Sequence, residues 1–446
     1  MGDKLRLAAL VVTYVAGFVG TALARTLRAY LHRWTYKGPT DHPRTVVVLG
    51  GSFAGMQLVR RLGDTLPTGW QAVLVERNSH FNYSFSFPRF AVVPGHERLA
   101  FIPYPLMFAS APPGIVRLVQ GEVKAVTATE IVLASGETIP YDIAVVATGS
   151  AQRPPAKLLG AADRDTACAE LRALQDRIGR ARTVAVLGGG AVGVELATDI
   201  KTFAGVVAGR HKGKTGEGNE LLADKEVTLV HSREQLLNRF GSRLHTHTLE
   251  VLKKIGIRVV LGQRPSVVYA SDAPDAMVGG PGTLRYADGR EEVYDCVLLC
   301  TGLTPNSALL KDLCPGALNA ASGAINVTPS LHVFDDKTKA NLPNVFAFGD
   351  VAETGGAKMA RASFMQAEVV VANVLATIAG RPLTAHYVPD AIEGSIKLTL
   401  GKDHSVIYMD QNNSKSILLA KGGEKEDMDV KRAWQFFGAK YTGDEA

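Results

Sequence analysis

The sequence predicts an α/β protein with two Rossmann-like dinucleotide-binding domains, a small C-terminal α+β domain and an N-terminal hydrophobic helix ahead of them. Three observations predict it. Two β-branched strands, Thr45 to Leu49 and Thr183 to Leu187, each run into a glycine cluster that opens a helical stretch. From residue 44 onward, short apolar runs alternate with longer helical ones, the mark of parallel sheets with crossover helices. Residues 7 to 24 form 18 positions without a charge, at the short end of what spans a bilayer core of about 30 Å.

The length of 446 residues, 46% of them apolar and 21% charged, gives enough core for two or three domains and excludes disorder as the main state. The net charge of +6 is concentrated at the N-terminus. The first 44 residues hold seven basic side chains against two acidic ones and leave a net of only +1 for the rest, so no nucleic-acid partner is expected. Four cysteines are too few for a disulfide scaffold.

Residues 1 to 40 read as a membrane anchor or a targeting segment, with Ala22-Leu23-Ala24 resembling a cleavage site and a buried helix as the plainer alternative. Arg25, Arg28, Arg33 and Lys37 after the apolar stretch favour keeping the body on the cytoplasmic or matrix side. Met1-Gly2 raises myristoylation, but Arg6 stands where Ser or Thr is wanted.

The first glycine cluster is Gly50-Gly51-Ser52-Phe53-Ala54-Gly55, with Glu76 ending the next strand 21 residues after Gly55. Gly50 permits the tight turn, Ser52 replaces the usual middle glycine yet is small enough to let backbone amides approach a pyrophosphate, and Gly55 lets helix and strand pack closely. Glu76 is placed to accept from ribose hydroxyls. The alternative is a plain strand-to-helix turn. The second cluster, Gly188-Gly189-Gly190-Ala191-Val192-Gly193, carries all three glycines of the fingerprint in Gly188, Gly190 and Gly193. No acid follows at the usual distance. Once the Gly- and Lys-rich stretch 205 to 222 is set aside as a surface loop, the strand Val227 to Val230 falls in the ribose position and ends in His231-Ser232-Arg233. A hydroxyl and two potential cations there suit a 2′-phosphate, so NADPH is expected to serve at least as well as NADH; solvated loop residues are the alternative.

Two such sites suggest a flavin and a nicotinamide. Ala147-Thr148-Gly149-Ser150, Cys300-Thr301-Gly302-Leu303-Thr304-Pro305-Asn306 and Asn344 to Asp350 follow strands in the order found in the two-dinucleotide-binding flavoproteins. The span from 44 to 380 resembles that superfamily, the pyridine nucleotide-disulfide oxidoreductases. Val192-Gly193-Val194-Glu195, Lys358-Met359-Ala360 and Leu400-Gly401 resemble its apoptosis-inducing-factor-like branch, which contains the ferroptosis suppressors and is related to type II NADH dehydrogenases.

The resemblance implies an FAD domain in two parts, 44–160 and 306–380, an NAD(P)H domain at 161–305, and a C-terminal domain at 381–446. It implies that Asp350, Thr148 and Gly149 line the flavin's chain, that Val123 meets the adenine, and that Arg89 reaches towards the flavin. Lys358, Thr301 and Gly302 belong to the same cofactor-binding set. Glu195 is the catalytic-side candidate, orienting the nicotinamide carboxamide; an acid stabilised by the first turn of its helix is the alternative. Arg89 has a surface salt bridge as its alternative, Asp350 a helix cap and Val123 an ordinary buried strand position.

Many relatives pass electrons through a dithiol on the helix after the first glycine cluster, but Met56 to Leu62 holds no cysteine. Cys296 and Cys300, four apart on a strand, would stand about 13 Å apart, too far to bridge. Disulfide reduction is therefore disfavoured. No metal site is expected, and His245 and His247 read as surface side chains.

The function expected is an FAD-dependent NAD(P)H oxidoreductase delivering electrons to a membrane quinone, on a mitochondrial membrane or the cytoplasmic face of an internal one. The alternatives are a matrix reductase of a small protein or ascorbate radical and a signalling flavoprotein. The aromatics Trp434, Phe436 and Phe437 beside Lys431 and Arg432 are expected either to frame the quinone entrance or to pack the tail onto the body.

Overall fold

The computed structural model describes Asp3, Gly20 and residues 23–160, 162–211, 225–271, 278–410 and 416–441. Most of the apolar stretch 7–24 therefore lies outside the described residues. Among the described residues no helix is long and apolar enough to cross a membrane.

From residue 44 the chain lays down β1 (Arg44–Leu49), α1 (Phe53–Gly63), β2 (Trp70–Glu76), β3 (Val116–Gln120) and β4 (Ile143–Val146). After α2 (Arg164–Arg180) comes the second unit: β5 (Thr183–Leu187), α3 (Ala191–His211), β6 (Glu226–Val230), α4 (Ser242–Lys254), β7 (Arg258–Val260) and β8 (Cys296–Leu299). The chain then returns with β9 (His332–Asp335), β10 (Ala340–Ala347) and α5 (Ala360–Ile378). It closes with β11 (Ile396–Thr399), β12 (Ser405–Met409), β13 (Ile417–Lys421) and α6 (Val430–Phe436).

The first sheet has the order β9-β10-β4-β1-β2-β3 and is parallel except for the β9–β10 pair. The second, β7-β6-β5-β8, is parallel throughout. Helices and small antiparallel sheets cover both faces, which is why buried runs such as Val46 to Leu49 and Val184 to Leu187 are apolar at successive positions. Val46 and Val48 of β1 pack with Met56, Leu58 and Val370 of α1 and α5, while Val47 and Leu49 face Val126 and Ile131 on the other side. In β5, Val184 and Val186 are divided from Ala185 and Leu187 in the same way. Because β10 inserts beside β4, the first unit is completed only after the second has been built, and both strand-end crevices open at the C-terminal ends of their strands.

The antiparallel sheet β11-β12-β13 and α6 belong to both cores. Leu398, Leu400, Val406 and Tyr408 join the core of the second unit, and Trp434 and Phe437 join that of the first. One expectation is corrected here. The stretch 205–222 does not begin as a loop: α3 continues to His211, the alanine- and valine-rich run 203–208 extending the helix, and residues 212–224 lie outside the described residues.

Candidate functional site: two glycine cradles and the junction between them

At the end of β1, Gly50 turns the chain with φ +96°, a conformation that suits glycine. A Cβ at Gly55 would collide with the Gly50 carbonyl oxygen, so the helix start can lie this close to the strand only without one. Gly51 N–H donates to Glu76 Oε2 at 2.6 Å, fixing the acid against the loop. Ser52 is exposed at the N-cap of α1 and makes no side-chain cap hydrogen bond. Thr148 and Ala147 pack on Gly50, and Ser150 Oγ donates to Asp350 Oδ2 at 3.4 Å. Gly50, Gly51, Ser52, Gly55, Glu76, Thr148, Gly149 and Asp350 thus converge at one sheet edge. Val123 begins a small strand two residues after Gly121, whose N–H donates to Glu76 O at 2.9 Å.

The second cradle repeats the geometry. Gly188 has φ +122°, and a Cβ at Gly193 would collide with the Gly188 carbonyl oxygen. Gly190 has nothing within 4 Å of where a Cβ would stand, which leaves its backbone open to a ligand. Thr301 and Gly302 are exposed beside this loop. Asn306 ties the two edges together: its Nδ2 donates to Thr148 O at 2.9 Å, and its carbonyl accepts from Thr148 Oγ1 at 2.8 Å.

The ribose end of the second cradle differs from expectation in one respect. His231 is buried, and its Nδ1 accepts the Gly189 N–H at 3.1 Å. Desolvation first, and the neighbouring Arg233 charge in part, lower its pKa from 6.5. It is a neutral prop for the glycine loop and not a cation for a phosphate. Arg233 is exposed and Ser232 partly so.

Glu195 lies one turn into α3, partly buried, and its Oε1 accepts the Thr399 backbone N–H at 2.9 Å and the Thr399 hydroxyl at 3.0 Å. Burial pushes its pKa up to about 7, with the nearby Asp199 charge adding to the rise. Arg89 stands elsewhere than expected. It is 1% exposed and forms an ion pair with Asp199 at 2.9 Å. Its terminal nitrogens donate to Lys425 O and Gly401 O, and its guanidinium lies 4.5 Å from the Phe203 ring centre. Those donors are spent where the first unit, α3 and the C-terminal domain meet, in an ion pair that is buried and not, as the alternative had it, at the surface. Lys358 donates to Ala352 O, and the Asp350 and Glu353 carboxylates lie in its field.

Sequence reasoning missed several residues. Lys157 is partly buried in the field of the Asp350 and Glu76 carboxylates and donates to Ser150 O. Tyr104 OH donates to Gly51 O at 2.9 Å, and Gln366 Oε1 accepts the Gly349 N–H at 2.8 Å. None lies in a motif; each reaches the loop from a distant element. His245 and His247 are also less free than expected. The first accepts the Leu236 N–H at 3.0 Å, and the second stacks on His404 with their Nε2 atoms 3.1 Å apart.

The four cysteines are all free, and burial pushes the Cys296 and Cys300 thiols up to about 12. The model of the family described as pyridine nucleotide-disulphide oxidoreductase matches residues 44–371. The chain belongs to that family. It is similar to Fe-regulated protein 8 of Mycosarcoma maydis, 32% identical over 390 residues that cover 82% of this chain and 89% of the relative. It is also similar to ferroptosis suppressor protein 1 of Homo sapiens, 28% identical over 81% of this chain and 87% of that one. Among solved structures, the sulfide:quinone oxidoreductase of Aquifex aeolicus shares the fold with a TM-score of 0.63, 16% identity, and coverage of 88% and 90%.

This oxidoreductase is therefore flavin-dependent and uses FAD and NAD(P)H. The residues present fit both groups: each cradle has the close helix-to-strand approach that only a glycine permits, and Gly190 faces open space.

Proposed function

We propose that this oxidoreductase takes electrons from NAD(P)H and delivers them to a quinone drawn from a membrane. Phe53 carries the reading. The helix after the first glycine loop, where thiol-using relatives hold a dithiol, starts here with Phe53 and contains no cysteine. Phe53 packs at 5.1 Å from Phe81, 4.7 Å from Phe85 and 6.3 Å from Phe437, and Phe85 is half exposed. An apolar aromatic lane thus runs from the surface to the edge of the flavin cradle, the surroundings a quinone ring and its lipid tail require. Trp434 and Phe437 are buried and fasten the tail to the body, Trp434 Nε1 donating to Leu99 O at 2.9 Å. Only Phe436 of that trio is exposed.

The chemistry supplied by bound FAD is two-electron transfer, hydride from NAD(P)H inward and two electrons outward, with protons taken up to give quinol. The first glycine loop, Glu76, Thr148, Gly149 and Asp350 hold that cofactor, with Val123 at the adenine and Lys157 and Lys358 as cations at its polar edge. Gly188, Gly190, Gly193, Thr301 and Gly302 hold the nicotinamide dinucleotide, and Arg233 with Ser232 meets a 2′-phosphate. Glu195, held on one oxygen by Thr399, presents the other to the carboxamide. The uncharged stretch 7–24 supports attachment to a membrane.

The test is NADPH oxidation by the purified holoprotein with a short-chain quinone and with disulfide substrates. Turnover with the quinone and none with disulfides is expected. Disulfide turnover alone would sink the reading.

A further inference from the structure

Residues 23–35 are helical and rest on the body along one face. Arg25 pairs with Glu368 at 3.1 Å, His32 Nε2 bonds Leu66 O at 2.8 Å, and the buried Tyr36, just past the helix, donates its hydroxyl to Trp70 O at 2.9 Å. Positions 25, 29, 32 and 36 share one side at helical spacing. The opposite side is apolar and uncovered. Leu23 is 66% exposed, Leu27 60%, Tyr30 57%, Leu31 54% and Trp34 76%.

At 3.6 residues per turn these five side chains occupy an arc of roughly 100°, centred opposite the docked face. Arg28 and Arg33, both exposed, flank the arc on its two sides. No acidic residue occurs between Leu23 and Thr40, a span that also contains Arg25 and Lys37. Single exposed apolar residues need no explanation, but a continuous stripe with Tyr and Trp between arginines does. The continuous described part of the helix, residues 23–35, is about 20 Å long and basic, shorter than a bilayer core of about 30 Å. Apolar stripe, aromatic side chains and flanking cations together describe a helix lying in the interface of an anionic bilayer.

The surface continues past the helix. Glu368, which receives Arg25, also receives Arg61 at 3.0 Å, and Met365 and Phe364 stand one turn earlier on α5. Phe364 stacks on Phe436 at 5.9 Å, and Met365 and Phe436 are both exposed. Phe436 meets Phe437, which meets Phe53. The same elements that seat the helix therefore lead to the aromatic lane.

We infer that the outward face of helix 23–35, with Leu27 and Trp34 at its centre, Tyr30 and Leu31 beside them and Arg28 and Arg33 at its edges, is the surface that lies on an anionic phospholipid membrane. The inference deepens the quinone reading, since it says from which side a lipid-borne acceptor arrives.

The protein carries its own probe. Of its three tryptophans, Trp70 and Trp434 are buried, and Trp34 alone is exposed. The experiment adds vesicles of phosphatidylcholine, with or without phosphatidylserine, to the full-length holoprotein and follows tryptophan emission and its quenching by brominated lipid. Phosphatidylserine vesicles are expected to shift the emission to the blue and brominated lipid to quench it, both effects being lost in Trp34→Phe. Leu27→Glu with Leu31→Glu, and separately Arg28→Glu with Arg33→Glu, are expected to weaken lipid quenching by about tenfold or more. Protein that sediments with vesicles while Trp34 stays unquenched would overturn the inference, as would an emission shift that depends on protein concentration without lipid, the signature of a second copy. Reduction of a water-soluble quinone by the same samples keeps the two readings apart. If Trp34 enters lipid and no quinone is reduced, the surface stands and the acceptor assignment fails; if the quinone is reduced and Trp34 stays in water, the reverse holds.

Discussion

Glu195 and Thr399 join the start of the nucleotide-binding helix to the C-terminal sheet through two hydrogen bonds to one carboxylate oxygen, at 2.9 and 3.0 Å. The proposed nicotinamide site would thereby be bordered by two domains. Its acid, raised to about 7 by burial, titrates in the working range. Above that pH the free oxygen would accept from the carboxamide in the proposed site, so kcat/KM for NADPH is expected to rise between about pH 6 and 8, and Glu195→Gln to flatten the profile. The sign for stability is opposite. A folded pKa above the unfolded value means the native state binds more protons between about 4.5 and 7, so folding weakens as pH rises through that window. Glu195→Gln is expected to raise Tm at pH 8 and to leave it nearly unchanged at pH 4, by thermal unfolding at both.

Arg89 is the only cation paired with Asp199 among the described residues, and it also lowers the pKa of Glu195. Arg89→Ala leaves a buried carboxylate uncompensated and is expected to cost about 3–5 kcal/mol in chemical denaturation. It should also move the Glu195-dependent step of the pH profile upward. The double variant Arg89→Met with Asp199→Leu is expected to recover most of the stability, because removing both charges removes the desolvation cost.

At the ribose end, Arg233→Ala is expected to lower kcat/KM for NADPH by about tenfold and to leave NADH nearly unaffected. His231→Gln, which keeps an acceptor near Gly189, should change the NADPH-to-NADH ratio little, because the imidazole is neutral and turned to the loop. Steady-state kinetics with both nucleotides checks the pair. A larger change from His231 than from Arg233 would reverse the assignment.

Gly190 and Gly193, in one loop, separate ligand approach from packing. Gly193→Ala drives a methyl into the Gly188 carbonyl and is expected to destabilise the second unit, whereas Gly190→Ala meets nothing within 4 Å and should leave Tm within about 1 °C. If Gly190 faces the dinucleotide, KM for NADPH in Gly190→Ala should nonetheless rise by about tenfold or more.

The fold is legible wherever a residue's neighbours in sequence are also its reasons. Thr183–Leu187 is a strand with the expected ends, because buried parallel strands are continuous apolar, β-branched-rich runs bounded by turns. The glycine loops stand out because their backbone conformations restrict residue choice. What stays hidden depends on distant partners. Nothing local in Pro88-Arg89 tells that Asp199, Gly401 and Lys425 converge on it, nor in the sequence around His231 that its ring turns inward onto Gly189. The far end of α3 is hidden for a different reason: its glycine-rich composition resembles a loop, yet its alanines and valines carry the helix to His211.

The most direct test of the account is the rate of NADPH oxidation by the FAD-loaded, full-length protein in liposomes, with a long-chain quinone present or absent and with the thiols alkylated. Quinone-dependent oxidation well above the rate with oxygen alone, unchanged by alkylation, is the predicted result. Oxidation no faster with quinone than without it, or lost when the thiols are blocked, would contradict the claim that this chain is a thiol-independent NAD(P)H:quinone oxidoreductase.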